Sequence, residues 1–243
     1  MTIKGLEKLI RISLNDFYIR RLGRLEKLKL RDYLKRKNPY LYKAIGTEKA
    51  SDIVEEILFA YTVASDEGIF GDAFFEPIAK IVSDGVVSPS EGVDVAIETD
   101  KKYLAIAVKS GPNIYNSSQK KRQNDEFNIL RSRLLKLHKQ FDALLGHCYG
   151  QRNLDTSKAK IYRERSGQAF WTEITGDHDF YLKLVRLMKD EPSKHRIVYK
   201  KAWECAVNRF TAEFIKDFCN RDGSINWEKL VELNSGMRLP TNK

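Results

Sequence analysis

The sequence predicts an α/β fold in which a central mixed β-sheet is flanked by helices. Three observations carry that prediction. Two short apolar runs, Val93–Ile97 and Tyr103–Val108, sit on either side of the polar turn Thr99–Lys102. Two further short strand-like segments follow, Leu144 to Tyr149 and Lys160 to Tyr162, with a long polar helix ahead of them. Helical apolar spacing fills both ends of the chain. The 243 residues fit one large domain, with a helical N-terminal extension at 1–46, an α/β core at 47–176 and a helical part at 177–243.

The N-terminal stretch alternates Leu6, Leu9, Ile10, Leu14 and Phe17 with Lys and Arg, which reads as helix until Asn38-Pro39. This basic stretch either wraps DNA or a second subunit, or is a solvated face over the core. Thr47 or Ser51 caps a helix through Ile53, Val54, Ile57, Leu58 and Tyr61. Gly68 and Gly71 break that pattern, and Asp72 caps the next helix, Ala73 to Val82, with Glu76 near its first turn. Gly85, Pro89 and Gly92 form a loop before the hairpin. After the second strand Gly111-Pro112 is a stop, and a helix runs from about Ser118 to Phe141. Helices from Phe180 to Met188 and from Tyr199 to Cys219 complete the chain, with Asn220 to Gly223 as the stop signal.

Composition excludes several classes. At 42% hydrophobic and 31% charged residues the chain is a folded protein, not a disordered one. Its apolar runs fall short of the roughly 20 residues of a membrane span, and charges throughout residues 1–37 are unlike a secretory signal. A cytoplasmic protein without a membrane partner is therefore expected. Lys and Arg exceed Asp and Glu by 43 to 33, for a net charge of +10. That excess suits a polyanionic partner, because neutralised phosphates release counterions, although charge alone is equally compatible with none. Cys148, Cys205 and Cys219 lack disulfide-framework or zinc spacing and read as buried thiols. His138, His147, His178 and His195 show no ligand spacing and read as structural.

The chemistry concentrates on the hairpin. A turn centred on Asp100 and Lys101 pairs Glu98 with Tyr103 and Asp94 with Ala107. Alternation then places Asp94 and Glu98 on one face with Ala105, Ala107 and Lys109. Asp94 and Lys109 converge, while Leu104, Ile106 and Val108 pack the other face. Such a pair is either a surface ion pair or the core of a metal-dependent phosphodiesterase. In the second case Asp94 and the Val108 backbone carbonyl bind Mg²⁺, and Lys109 orients or deprotonates water. One carboxylate is thin for Mg²⁺, so a donor is expected elsewhere: first Glu76, then Glu67, then Asp125 and Glu126, then Glu98. Lys109-Ser110-Gly111-Pro112-Asn113 and Asn116-Ser117-Ser118-Gln119 offer donors suited to a phosphate backbone, though a capped loop uses the same residue types. Lys120, Lys121, Arg122, Arg131 and Arg133 on the following helix contact phosphates or form a solvated face. Arg163, Arg165 and Gln168, near Trp171, either form a base-reading cluster or serve the structure, and Phe170 and Trp171 are expected to pack the core.

These segments together resemble a known family. The matching residues are Asn38-Pro39-Tyr40-Leu41, Asp66 to Asp72, Gly92-Val93-Asp94, Lys109 to Asn113, Asn116 to Gln119, Cys148-Tyr149-Gly150, Gly167 to Trp171 and Thr175-Gly176. The chain is similar to type II restriction endonucleases of the PD-(D/E)XK superfamily, in a group marked by KSGPN-x-x-NSSQ. The resemblance implies a restriction-endonuclease-like core with helical additions and Mg²⁺-dependent cleavage of double-stranded DNA at a short, palindromic site; cutting both strands of a palindrome needs two active sites, which a homodimer supplies. The alternatives are a repair or junction-resolving nuclease on the same core, or a non-catalytic DNA-binding protein on a decayed nuclease scaffold. The resemblance lays Asp94 and Lys109 on the superfamily's aspartate and lysine. Ala107 departs from its acidic position, which puts the second metal ligand on another element; Glu76 is the assignment here.

Overall fold

The computed structural model describes residues 1–88, 90–112 and 116–236. It has the expected mixed sheet with helices on both sides. In chain order the elements are α1 (Ile3–Lys27), α2 (Leu30–Leu34), α3 (Pro39–Ala44), α4 (Ala50–Phe70), a π-helical segment (Gly71–Phe75) and α5 (Glu76–Val82). Strands β1 (Val86–Val87), β2 (Val95–Glu98) and β3 (Lys102–Lys109) follow, then α6 (Ser117–Leu135), β4 (Gln140–His147) and β5 (Arg163–Ser166). Helices α7 (Gln168–Thr175), α8 (Phe180–Met188), α9 (Glu191–Phe218) and α10 (Trp227–Ser235) complete it.

The sheet order is β1-β2-β3-β4-β5. Strands β1, β2 and β3 are antiparallel, and β3, β4 and β5 are parallel. Glu98 pairs with Tyr103 as the turn predicts, and the register carries Asp94 opposite Ala107, with the Asp94 amide donating to the Ile106 carbonyl at 3.0 Å. Alternation fixes what covers each face. Ala105, Ala107, Ala143 and Leu145 lie under Phe127, Leu130 and Leu134, the buried stripe of α6. On the other face, Gly146 lacks the side chain that would overlap Phe170 of α7, and α7 packs with α5.

The chain forms two compact units, residues 1–17 with 67–192 and residues 18–66 with 193–243. The sheet belongs to the first. The second has its own core, in which Ala206, Phe210, Phe214 and Phe218 recur every four residues on α9. They pack against Ile53, Val54, Ile57 and Leu58 of α4, with Leu25, Leu30 and Leu230.

Several local expectations give way to tertiary packing. The helix does not break at Gly68 and Gly71, and Asp72 caps nothing: α4 continues through a π turn directly into α5. Gly71 is there to admit Ser110, whose Oγ would lie 2.6 Å from a Cβ at that position. Helix α6 stops at Leu135, because Leu134 is its last buried residue and Phe141 is taken into parallel pairing with Tyr103. Strand β4 is accordingly longer than Leu144 to Tyr149, and β5 follows the expected 160–162 segment rather than occupying it. The loop around Gly85 contains the two-residue strand β1, paired to Val95 and Ala96.

Candidate active site

Asp94 and Lys109 meet at one end of the hairpin. Lys109 Nζ donates to Asp94 Oδ2 at 3.2 Å, and the Val108 amide donates to the same oxygen at 2.7 Å. Both side chains are about a quarter exposed, so this is a half-buried pair at the mouth of the sheet rather than a surface one. The bond from Val108 ties the carboxylate to the neighbouring strand and fixes its orientation.

Glu76 is the carboxylate drawn to this pair. It opens α5 immediately after the π turn. Burial pushes its pKa up from 4.5 to about 7, the charges of Asp94 and Asp72 push the same way, and Lys109 opposes them. A half-buried acid raised by burial and by neighbouring acids is a candidate functional group. Glu76 thus follows a π-helical segment, a feature often found at functional sites. Ala107 is fully buried under α6 among Phe127 and Leu130. An acid there would be a charge in the apolar core.

The remaining candidates are placed elsewhere. Glu67 approaches Tyr149, whose hydroxyl lies 3.5 Å from both carboxylate oxygens. Glu98 pairs with Lys139. Asp125 is exposed on α6, and Glu126 accepts from Arg122 Nε at 2.8 Å while filling the space beside Gly92. Ser110 is buried, donating to the Glu67 carbonyl at 3.5 Å. Asn116 and Gln119 form a reciprocal capping box at the start of α6, each side chain accepting from the other's backbone amide at 2.9 Å. Ser118 is exposed and Lys120 partly so in the same first turn; Asn113 lies outside the described residues.

Arg163 and Arg165 are engaged by acids. Arg163 donates to both oxygens of Asp142 and reaches Glu173 at 2.6 Å. Arg165 binds Asp155 at 2.6 Å and the Leu154 carbonyl at 3.1 Å. Gln168 donates to the His178 carbonyl at 3.0 Å. Trp171 is buried, its indole N–H donating to the Cys148 carbonyl at 2.9 Å, so it serves the core.

A model of one protein family matches residues 4–196: type II restriction endonuclease EcoO109I. The chain belongs to that family. It is a type II restriction endonuclease, a site-specific deoxyribonuclease whose substrate is DNA. No curated protein matches the chain.

For an endonuclease of this family, three neighbours of the site gain meaning that sequence reading missed. Asp72 contributes to the field at Glu76. Cys148 is buried, and burial, with the nearby charge of Glu76, holds its thiol well above the usual range. Tyr149 packs where a Cβ on Gly111 would overlap its ring, locking the turn that follows Lys109. Only the Cys148-Tyr149-Gly150 match pointed toward the last two, and no spacing rule marked Asp72. Among the described residues no three His, Cys, Asp or Glu side chains are grouped to hold a metal by themselves. Mg²⁺ asks less than that, since it usually retains several waters and takes one or two protein carboxylates. The mutual crowding of Asp94 and Glu76 fits such an ion. Among the described residues no helix is long and apolar enough to cross a membrane.

Proposed function

We propose that this endonuclease cleaves double-stranded DNA with Mg²⁺ held by Asp94, Glu76 and the Val108 carbonyl, in the manner of the PD-(D/E)XK superfamily and its KSGPN-x-x-NSSQ group. The observation that carries the reading is the Asp94–Lys109 pair at the strand end, Nζ to Oδ2 at 3.2 Å with the Val108 amide on the same oxygen, beside half-buried Glu76, whose pKa is raised by burial and by Asp94 and Asp72. A divalent ion would relieve that repulsion, polarise the scissile phosphate and lower the pKa of a bound water. Asp94, oriented by the Val108 amide and Lys109 through Oδ2, would be one of the residues that hold the ion. Glu76, once ionised, would help to hold such an ion. Lys109 Nζ, kept at the strand end by Asp94, orients the attacking water and exchanges a proton with it.

The turn and helix start at Ser110, Asn113, Asn116, Ser118, Gln119 and Lys120 position the phosphate backbone. Gln168 serves base readout just beyond β5, and Arg163 and Arg165, held by Asp142, Glu173 and Asp155, support that cluster from the strand. The whole chain acts as one endonuclease domain, a reading supported by a family match that runs across parts of both compact units. Cutting both strands of a palindrome calls for two such sites, which a twofold homodimer supplies, and a cytoplasmic location would suit an enzyme acting on entering DNA.

Digestion of a defined plasmid with Mg²⁺ tests the reading. Discrete bands from the wild type, and none from Asp94→Ala, Lys109→Ala or Glu76→Gln proteins that still retard DNA, are the expected result. Full cutting by Asp94→Ala or Lys109→Ala would remove the proposed site. Normal cutting by Glu76→Gln together with an inactive Glu67→Gln would move the carboxylate and leave the class intact.

A further inference from the structure

A cavity of about 800 Å³ opens at the carboxyl ends of β4 and β5, where ligands of open α/β sheets commonly bind. It shares Cys148 with the surroundings of Glu76, Asp94 and Lys109, so it borders the cleavage site. Its floor is aromatic, from Phe74, Phe75 and Trp171. Three exposed carboxamides, Gln151, Asn153 and Gln168, stand on its wall, and the last two are held by backbone hydrogen bonds.

Asn153 and Gln168 each have one end fixed by backbone, and the two are fixed in opposite senses. Asn153 Oδ1 accepts from the Ser166 amide at 3.1 Å, which only the oxygen of the carboxamide can do. Its Nδ2 hydrogens are thereby turned outward. Gln168 Nε2 donates to the His178 carbonyl at 3.0 Å, which only the nitrogen can do. Its Oε1 is thereby turned outward. The usual ambiguity of amide orientation is removed at both positions, because a backbone N–H and a backbone C=O cannot exchange roles.

We propose that Asn153 and Gln168 are base-reading residues of fixed polarity, Asn153 presenting a hydrogen-bond donor and Gln168 an acceptor to base edges in the major groove. Asn153 suits purine N7, guanine O6 or thymine O4; Gln168 suits the exocyclic amine of adenine or cytosine. Fixing the amides before DNA arrives reduces the ordering cost of contact and makes the wrong base face an unmatched group. Arg165 is then a positioning residue. Its guanidinium holds the Leu154 carbonyl and Asp155, the two residues after Asn153, and is engaged by acids rather than turned toward DNA. The inference rests on the proposed cleavage of double-stranded DNA.

Asn153→Asp gives the decisive variant, because Oδ1 can still accept from Ser166 while the donor becomes an acceptor. Gln168→Met removes the acceptor at an exposed position that folding tolerates. Wild type and variants are each used to enrich a random-sequence duplex library in Ca²⁺, and the enriched duplexes are then cut in Mg²⁺. The expected result is a wild-type consensus in which each variant changes preference at its own base position by at least tenfold, with the other positions unchanged. Weakening by an added negative charge alone would lower retention of all sequences alike. An unaltered consensus in both variants would overturn the inference while leaving the nuclease reading in place. A wild type that neither enriches nor cuts any sequence would instead remove the reading on which it rests.

Discussion

Two acids of the same compact unit, Glu76 and Glu164, are both taken out of water and treated in opposite ways. Glu164 on β5 is 2% exposed, yet its pKa is lowered. Burial works against its ionisation, but Lys160 at 2.8 Å and Arg152 at 2.6 Å outweigh it, with His147 alongside. His147 is itself buried, its pKa lowered by burial, and its Nδ1 bonds the Gly111 carbonyl at 3.0 Å. Glu76 meets other carboxylates, with only Lys109 opposing, and is raised to about 7. The difference shows that the partners, not burial alone, set the direction: cations offset the burial of Glu164, and neighbouring acids add to that of Glu76.

The largest effect that could break this contrast is on cleavage. Glu76→Gln should lower the cutting rate by about three orders of magnitude, the scale of lost metal assistance. Glu164→Gln, measured on the same plasmid, should not approach that loss.

Stability should respond in the reverse order. Glu164→Ala leaves Arg152 and Lys160 without their buried partner and should cost about 3 kcal/mol, visible as a melting temperature lower by about 6–12 °C. In Glu76→Gln the metal-free protein should melt a few degrees higher than wild type at pH 8. A fall would mean that Glu76 is a structural acid.

The pH dependence sharpens the same pair. Because the folded pKa of Glu164 lies below its ordinary value of 4.5, its contribution is present above that pH and is lost as pH falls through the folded value. Glu76 has a raised folded pKa, so its contribution is present below pH 4.5 and is lost as pH rises toward about 7. Melting curves of metal-free wild type against Glu76→Gln should therefore diverge between pH 4.5 and about 7. Added Mg²⁺ should restore wild-type stability above that window, while Glu76→Gln gains less.

The smallest expected effect concerns α6. Asn116→Ala removes one half of the capping box and should cost about 1 kcal/mol by thermal melting. A loss of DNA retention far beyond that would show that Asn116 also meets phosphate, as the turn-and-helix reading proposes.

Much of the fold and part of the site could be read directly from residues. Period-two alternation and the short polar turn determine the β2–β3 register, and with it the meeting of Asp94 and Lys109, because both are local consequences of chain geometry. The apolar stripes of α6 and α9 are likewise local. The continuous passage from α4 to α5 was not legible, since Gly71 looks like a helix breaker until Ser110 is packed against it. The same holds for the ends of α6 and β5, which are set by parallel pairing with distant strands.

The sequence by itself determined a nuclease architecture and the Asp94–Lys109 pair, and it named Glu76 as the first of several acids. Only the tertiary structure decided which of those acids feels the charges of both Asp94 and Lys109. Charge interactions in a half-buried site depend on distance and burial, and neither exists until the π turn brings α5 to the sheet. It also decided that Arg163 and Arg165 are held by Asp142, Glu173 and Asp155. A guanidinium's partners depend on which acids the fold places within hydrogen-bond reach, and no spacing along the chain states that.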